Sequence, residues 1–380
     1  MNVVLVGAGG YGTNYVRELL ASRDPDLHWV GVVDPYFEGC TMKQAILDAD
    51  IPVFDTLEAF YREQTADLAI VATPPFLHAK QSICALSHGS YVLCEKPIAP
   101  TLAEAEEMQR AEETYQKFIA IGYQWSYSRA IQALKRDILD GVLGRPISMK
   151  TAISWPRNRA YYARGGGWGG RIEKDGIPIL DSIASNACAH YLHNMFFLLG
   201  DTMEQSARVD TLCANCFRAN DIESFDTCSI QMQAGGVPLY FIASHATAKK
   251  KNPEFVYTFE HAVVTYSQDE GSCIRATFAD GSVKCYGDPF ADSFIKIWDC
   301  VDAIRNGKQP ICTVQTATPH VELIGRLYRE VPIRAFPASR VRLNSANDSV
   351  EVEGLFEALY EAYEKEAPLS EVFSMGGEER

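Results

Sequence analysis

The sequence has few of the features that direct a protein to a membrane, to nucleic acid or out of the cell. No apolar run among the 380 residues reaches the roughly 20 residues that cross a bilayer. Met1-Asn2 leads directly into an apolar run, without the basic start and cleavage pattern of a signal peptide. Asp and Glu number 49 against 35 Lys and Arg, so the formal net charge of −14 disfavours phosphate backbones and anionic membranes. We therefore expect a cytoplasmic protein without nucleic-acid or membrane partners.

Metal-ligand spacing and a disulfide framework are also missing. The 11 cysteines are scattered, and only Cys213 and Cys216 stand close together. A structural zinc needs two further ligands at matching spacing, but only the isolated Cys228 follows nearby. We interpret the pair as strand residues, predict no metal, and expect free thiols in a reducing compartment.

Apolar material, by contrast, is sufficient for more than one hydrophobic core. The chain is 47% hydrophobic and 380 residues long, which exceeds what a single core usually serves. No internal repeat or low-complexity segment interrupts it. Two domains are therefore expected.

The chain opens with a strand, a glycine turn and a helix. The apolar run Val3–Val6 is followed by glycines spaced G-x-G-x-x-G. In this pattern Gly7 permits a tight turn, Gly9 lets backbone amides approach a pyrophosphate, and Gly12 lets helix and strand pack closely. The next strand ends at Asp34, where an acid binds ribose hydroxyls and repels a 2′-phosphate. The order predicts NAD binding rather than NADP binding, although Asp34 also suits the start of the turn with the following proline.

Two further apolar strands end in residues that suit a binding site. Thr73-Pro74 and His78 follow one strand, and Lys96 follows the other. Because ligands in open α/β sheets gather beyond the carboxyl ends of the strands, these residues are expected at one edge. The alternative is a solvated lysine and a core or cap histidine.

The three motifs together resemble a known family. Gly-Ala-Gly-Gly-Tyr-Gly at 7–12, Ala-Thr-Pro-Pro-Phe-Leu-His-Ala at 72–79 and Cys-Glu-Lys-Pro at 94–97 are similar to the glucose-fructose oxidoreductase / inositol dehydrogenase / MocA (Gfo/Idh/MocA) oxidoreductases. The resemblance implies that Lys96 lies beside the nicotinamide and the substrate. Motifs and resemblance together give the predicted NAD-binding residues: Gly7, Gly9, Gly10, Tyr11, Gly12, Asp34, Thr73, Pro74, His78, Glu95, Lys96 and Gln124.

The predicted fold is α/β plus α+β, an N-terminal Rossmann fold followed by a domain built on a large open antiparallel sheet. We place the NAD-binding domain at 1–123, the substrate and oligomerisation domain at 124–345, and a C-terminal helix and charged tail packed on the rest at 346–380. Members of the family usually bury one face of the sheet between subunits. The resemblance thus implies a homodimer or homotetramer.

Residues 181–200 have the pattern of one long helix. Asn186, His190 and His193 then share one face at i, i+4 and i+7. A structural histidine is the usual alternative, and a metal would need a third ligand that is not visible. By resemblance this helix corresponds to the family's Asp-x-x-x-His-x-x-Asp helix, in which His190 matches the histidine that exchanges the substrate proton. Asn186 and His193 replace both acids, and Ser126 replaces a common arginine.

The segment 155–178 is predicted to be an irregular loop, with five cations against two acids. Its aromatic faces suit sugar rings and its arginines suit carboxylate or phosphate, whereas the alternative is a surface loop packed down by its own side chains. With both family acids missing, a negatively charged substrate is better tolerated. The predicted substrate-binding residues are Lys96, Trp155, Arg157, Tyr161, Trp168, Asn186, His190 and His193.

The predicted function is that of an NAD-dependent oxidoreductase acting on a secondary alcohol or ketone of a sugar, cyclitol or sugar acid. Lys96, His190 and Asn186 are its predicted catalytic residues. Two alternatives stay open: a glycosidase that oxidises its sugar transiently with bound NAD, and a non-catalytic NAD or sugar sensor.

Overall fold

A computed structural model describes residues 1–374, and within it the chain forms two compact units. The first unit contains Met1–Gln124 together with Phe294–Thr318, and the second contains Trp125–Ser293 together with the chain from Pro319 onward. The boundaries predicted from the sequence, 1–123 and 124–345, assign the returning segment Phe294–Thr318 to the second domain instead. The charged end of the predicted tail, from residue 375, lies outside the described residues.

Strands and helices alternate in the N-terminal part of the chain, whereas most strands of the C-terminal part follow one another directly. The α-helices are α1 (Gly12–Ala21), α2 (Lys43–Asp48), α3 (Leu57–Glu63), α4 (His78–Ser87), α5 (Leu102–Tyr115), α6 (Gln124–Tyr127), α7 (Arg129–Leu139), α8 (Arg159–Gly167), α9 (Ala189–Leu198), α10 (Ile295–Asn306), α11 (Val314–Glu330), α12 (Leu355–Lys365) and α13 (Leu369–Val372). Short 3₁₀ turns lie at Phe37–Gly39 and Pro75–Leu77, and a π-helical turn lies at Ile183–Ala187. The strands are β1 (Asn2–Val6), β2 (His28–Val33), β3 (Val53–Phe54), β4 (Leu68–Val71), β5 (Tyr91–Cys94), β6 (Ile119–Ile121), β7 (Pro146–Ser154), β8 (Glu173–Lys174), β9 (Ile177–Pro178), β10 (Val209–Arg218), β11 (Thr227–Ala234), β12 (Val237–Ser244), β13 (Lys251–Phe259), β14 (Ala262–Ser267), β15 (Ile274–Phe278), β16 (Val283–Gly287), β17 (Ile333–Ala335), β18 (Val341–Asn344) and β19 (Ser349–Val352).

The first unit is built on a six-stranded parallel sheet. Its strand order is β3-β2-β1-β4-β5-β6, the doubly wound order of a Rossmann fold. Strands β1, β4 and β5 are short apolar runs because both faces of a parallel sheet are covered by helices. The carboxyl ends of these three strands carry the glycine loop, Thr73 and Glu95.

Helix α10 explains why residues 294–318 belong to the first unit. Ile297, Cys300 and Val301 on this helix are buried in the same core cluster as Leu5 and Leu93 of the parallel sheet. The returning segment therefore completes the hydrophobic core of the first unit.

The second unit is built on a nine-stranded mixed sheet in the order β16-β15-β14-β13-β7-β12-β11-β10-β17. Its neighbours are antiparallel except for the pairs β7–β12 and β10–β17. The predicted fold class is thus confirmed, with a mixed rather than wholly antiparallel second sheet. Cys213 and Cys216 lie in β10, as predicted from their spacing.

Helices α12 and α13 cover part of one face of this sheet. Leu355 and Leu359 pack in one core cluster with Ala152 and Ile242. The Tyr240 hydroxyl also donates to a backbone carbonyl beyond the end of α12, at 2.7 Å. One face of the sheet is therefore partly covered by the chain itself. The homo-oligomer stays a prediction.

Three expectations from the sequence need correction. The segment 155–178 is not wholly irregular, because it contains α8 and the small hairpin β8–β9. The predicted helix over 181–200 is divided at Cys188 into a π-helical turn and α9. The cysteines are not all free, because Cys273 and Cys285 form a disulfide beside the edge strand β16, while the other nine are free thiols.

Residues 1–374 include no helix that is long and apolar enough to cross a membrane. They also include no group of three or more His, Cys, Asp or Glu side chains placed to hold a metal ion.

Candidate functional site

The glycine loop of the first unit has the geometry that dinucleotide binding requires. Gly7 has φ +90°, and a Cβ there would lie 2.8 Å from the Ala72 carbonyl oxygen. A Cβ on Gly12 would collide with the Gly7 carbonyl oxygen. Gly9 differs, because the nearest atom to its Cβ position is the Asp34 Oδ2 at 4.0 Å. Two glycines are thus needed for packing, and the third leaves backbone open to a ligand.

Asp34 is tied to the glycine loop. Its Oδ2 accepts a hydrogen bond from the Ala8 N–H at 2.9 Å, and its Oδ1 accepts one from the Tyr36 N–H at 2.9 Å. The side chain therefore both holds the turn after β2 and stands beside Gly9. The two interpretations of Asp34 are compatible with each other.

Glu95 is the centre of a buried polar cluster at the carboxyl end of β5. Its carboxylate forms an ion pair with Lys296 of α10, and both side chains are almost completely buried. It also accepts hydrogen bonds from the Tyr15 hydroxyl at 2.6 Å and from the Lys96 N–H at 3.0 Å. Burial by itself raises the pKa of Glu95, but the charge and hydrogen bond of Lys296, the Tyr15 hydrogen bond and the Lys96 charge outweigh it and lower the pKa. Glu95 is thus held as an anion that fixes the backbone of Lys96.

Lys296 was missed by the sequence analysis. It lies on the buried face of α10 with Cys300 and Ala303, at i, i+4 and i+7. A lysine on an apolar face indicates a buried acidic partner, because an unpaired buried charge is costly. The sequence alone therefore indicates a buried acidic partner for Lys296 but does not identify that partner.

Tyr11 extends the cluster towards the surface. Its ring lies 5.1 Å from the Lys296 Nζ, and its hydroxyl donates to the Gln124 Oε1 at 3.2 Å. Tyr11 is 39% exposed, while Gln124 is largely buried. Lys96 itself is half-buried and precedes Pro97 through a cis peptide bond. The structure thus brings the predicted residues Tyr11, Glu95, Lys96 and Gln124 together.

His78 does not reach the surface of this edge. It is completely buried, and its ring nitrogens lie 2.8 Å from the Thr73 carbonyl oxygen and 2.8 Å from the Pro97 carbonyl oxygen. Burial lowers its pKa. His78 joins the turn at Thr73-Pro74 to the turn at Pro97, so any effect on a cofactor is indirect.

The second unit carries the predicted proton-transfer helix, whose start differs from the prediction. Ser182 and Ser185 cap the π-helical turn reciprocally, with hydrogen bonds of 3.1 and 2.7 Å. A π turn has more residues than an α turn. The π turn therefore shifts Asn186 relative to α9, whereas half-buried His190 and His193 stay at i and i+3 of one regular helix.

Asn186 is held by Asp181, a buried acid that is not among the predicted site residues. Its Nδ2 donates to the Asp181 Oδ1 at 2.9 Å. The Oδ2 of Asp181 accepts from the Gly170 N–H at 2.7 Å and lies 3.5 Å from a terminal nitrogen of Arg164. A buried carboxylate is therefore present near this helix, although not at the positions of the family motif.

His193 is not retained as a substrate-binding residue. Its side chain is completely buried, and its Nε2 lies 3.1 Å from the Ser126 hydroxyl. Burial, with additional effects from His320 and Lys135, lowers the pKa of His193 well below its usual value. Ser126 and His193, at the positions where the family has arginine and aspartate, thus form a neutral pair.

The aromatic and cationic residues of 155–168 pack against one another. Arg164 lies over the rings of Tyr161 and Trp168, at 3.8 and 4.4 Å from their centroids. Trp168 is buried, which favours a packing role. Trp155 packs against Tyr191, the residue after His190, with ring centroids 5.7 Å apart. Trp155 and Tyr161 also flank Arg157, at 5.4 and 4.9 Å.

Comparison with known proteins identifies the first unit. Residues 1–123 match the model of the GFO_IDH_MocA family, described as an oxidoreductase family with an NAD-binding Rossmann fold. The 2,7-anhydro-N-acetylneuraminate hydratase of Mediterraneibacter gnavus is 28% identical over 189 residues, which is 50% of this chain and 48% of that protein. An inositol 2-dehydrogenase of Renibacterium salmoninarum is 31% identical over 153 residues, 40% of this chain and 45% of that protein. The chain spans about half the length of the curated relatives it matches.

Solved structures extend the likeness over both units. The WlbA dehydrogenase from Bordetella pertussis, in complex with NADH and UDP-GlcNAcA, has a TM-score of 0.72 at 21% identity and covers 86% of this chain and 95% of its own. The UDP-N-acetylglucosamine 3-dehydrogenase GnnA from Acidithiobacillus ferrooxidans has a TM-score of 0.70 at 16% identity. The match covers 87% of this chain and 97% of that protein. At these identities the likeness shows a shared fold.

Proposed function

Since the chain belongs through residues 1–123 to the Gfo/Idh/MocA family of NAD-binding oxidoreductases, we propose that it oxidises a secondary alcohol of a sugar, cyclitol or sugar acid, or reduces the corresponding ketone. The observation that carries the proposal is the buried Glu95–Lys296 pair, which holds the backbone of Lys96 at the carboxyl end of β5. Such rigid support is typical of a residue whose position matters for chemistry.

The glycine loop and Asp34 fit NAD as the cofactor. Gly9 leaves room for a pyrophosphate near the start of α1, where backbone N–H groups favour an anion. Asp34 stands beside it, where it would accept hydrogen bonds from ribose hydroxyls and repel a 2′-phosphate. Bound NAD would supply the hydride acceptor.

Lys96 and His190 are assigned separate roles. The Lys96 ammonium stabilises the negative charge that develops on the substrate oxygen. His190 takes the proton of the hydroxyl as the carbon loses hydride, and returns it in the reverse direction. Asn186, held by Asp181, is a polar group that orients the proton-transfer residue or the substrate.

The proposal is tested by incubating purified protein with NAD or NADP and a panel of sugars, cyclitols and their acids, while following the absorbance of reduced cofactor. Net NADH formation with at least one of these substrates is expected. Cleavage of a glycoside without net NADH would support the glycosidase instead. Binding without turnover across the panel would support the sensor, and preference for NADP would contradict the role of Asp34.

A further inference from the structure

Arg157 differs from the other cations of the segment 155–178. The other four have polar partners: Arg159 with Asp348 at 3.7 Å, Arg164 with Asp181 at 3.5 Å, Arg171 with Glu223 at 2.9 Å, and Lys174 with the Gly166 carbonyl oxygen at 2.7 Å. Within residues 1–374, no carboxylate or hydrogen-bond acceptor is found for the guanidinium of Arg157, and its Nε is buried without a partner. A buried donor without an acceptor is costly, so this position calls for an explanation.

The surroundings of Arg157 hold the guanidinium in place without neutralising it. The rings of Trp155 and Tyr161 lie 5.4 and 4.9 Å from its central carbon. Its backbone N–H donates to the His245 carbonyl oxygen at 3.1 Å, which fixes the start of the side chain. An arginine supported by aromatic rings keeps its N–H groups for a planar anionic ligand.

His245 provides a second buried polar group without a partner. It is 1% exposed, its Nδ1 lies 3.2 Å from the Tyr162 hydroxyl, and its Nε2 has no hydrogen-bond partner among the described residues. Burial, followed by the charges of Arg157 and Arg164, lowers its pKa well below the usual value. When the Tyr162 hydroxyl donates to Nδ1, the neutral ring carries its proton on Nε2 and can donate it.

The two buried acids of this region have other partners. Asp181 accepts from Gly170 and Asn186 and pairs with Arg164. Asp226 accepts from the backbone N–H groups of Ala219 and Asn220 at 3.0 and 2.8 Å, and from the Asn220 side chain at 2.8 Å. Neither forms an ion pair with Arg157.

We propose that Arg157 and His245 form a subsite for an anionic oxygen group, carboxylate or phosphate, so that the substrate is an acidic sugar derivative rather than a neutral polyol. The subsite is placed near the proton-transfer helix because Trp155, which supports Arg157, also contacts Tyr191 beside His190. This inference rests on the proposed function for its substrate class, but binding at Arg157 can be measured without turnover.

Calorimetric titration with D-glucuronate, D-glucose 6-phosphate and D-glucose in the presence of NAD measures that binding. At least one of the two anionic sugars is expected to bind more tightly than glucose, and the comparison between them distinguishes carboxylate from phosphate. Arg157→Gln should weaken binding of the preferred anion by about 10- to 100-fold, the loss typical of a charged hydrogen bond. The affinity of Arg157→Lys for the preferred anion should lie between those of the parent protein and Arg157→Gln, because lysine keeps the positive charge but cannot form the two parallel hydrogen bonds of a guanidinium.

Arg159→Gln is the matched control. Arg159 lies in the same segment, but it is exposed and already paired with Asp348. This variant should bind all three sugars like the parent protein, and the thermal melts of both glutamine variants should show that they are folded. Equal binding of glucose and of the anions, no binding of either anion, or an Arg157→Gln variant that retains the parent affinity would overturn the subsite.

Kinetic measurements separate this inference from the proposed function. If acidic sugars are oxidised, Arg157→Gln should raise KM for them by a similar factor, with a smaller effect on kcat. Anion binding through Arg157 without any turnover would uphold the subsite and contradict the dehydrogenase. Oxidation of neutral polyols at the same rate by the parent protein and by Arg157→Gln would uphold the dehydrogenase and contradict the subsite.

Discussion

Lys296 forms a buried ion pair with Glu95, although the two residues are 201 positions apart in the sequence. Glu95 also accepts a hydrogen bond from the backbone N–H of Lys96. The Glu95–Lys296 pair therefore connects the returning helix α10 to Lys96, the residue proposed to act on the substrate. The integrity of the candidate site therefore depends on a helix that is far from the glycine motif in the sequence.

Lys296→Met should be strongly destabilising, because it leaves the Glu95 carboxylate buried without its cation. Loss of one partner of a buried pair typically costs about 3–5 kcal/mol. Urea unfolding of the variant measures the loss. The double variant Glu95→Gln/Lys296→Met is the control and should recover part of it, since no charge is then left unpaired. A single variant as stable as the parent protein would contradict the pairing.

Asn186→Asp should lower stability at neutral pH, even though it restores an acid of the family motif. The new carboxylate would replace the donor to Asp181 and face a second negative charge. We expect a loss of at least about 1 kcal/mol in chemical unfolding. The loss should shrink at acidic pH, where a protonated carboxyl can donate. Asn186→Ala removes the donor without adding a charge and should lack this pH dependence; a stabilised Asn186→Asp would show that Asp181 is not its neighbour.

The free energy of unfolding should fall as the pH drops below about 6.5, the ordinary pKa of histidine. His193 and His245 have lowered pKa values in the folded protein because they are buried. The unfolded chain then binds more protons than the folded one below that pH, so acid favours unfolding. Urea titrations of His193→Gln and the parent protein across this range should show a shallower decline for the variant. An identical decline of the free energy of unfolding with pH in His193→Gln and the parent protein would argue against a buried neutral His193.

The disulfide between Cys273 and Cys285 predicts the thiol count of the purified protein. Alkylation after denaturation without reductant should label the nine free cysteines, and prior reduction should make all 11 reactive. Because the bridge closes a short loop, its removal in Cys273→Ser/Cys285→Ser should cost about 2–3 kcal/mol. Labelling of every cysteine without reductant would restore the original expectation of free thiols.

Local signals explain which parts of the structure could be predicted from the sequence. The strands that end at the glycine loop and at Glu95 are continuous apolar runs, and the role of Gly12 follows from its close contact with the backbone of Gly7. Such features depend on the sequence within a few residues.

The remaining features depend on long-range contacts or on departures from regular geometry. The partner of Lys296 is fixed only by folding, so no spacing rule identifies it. The π turn before Cys188 changes the position of Asn186 relative to His190 and His193 on α9, whereas hydrophobic periodicity assumes a regular helix. Arg157 is among the predicted substrate-binding residues, but its lack of an acidic partner within residues 1–374 is visible only when the partners of the other cations are known.

The role of Lys96 is tested by measuring the turnover of Lys96→Ala with NAD and the best substrate of the sugar panel, together with its affinity for NAD. Loss of a positioned catalytic group typically costs about 10²–10⁴ in rate. We predict a fall of at least about 100-fold in kcat with nearly unchanged NAD binding. Turnover equal to that of the parent protein would show that Lys96 does not act on the substrate.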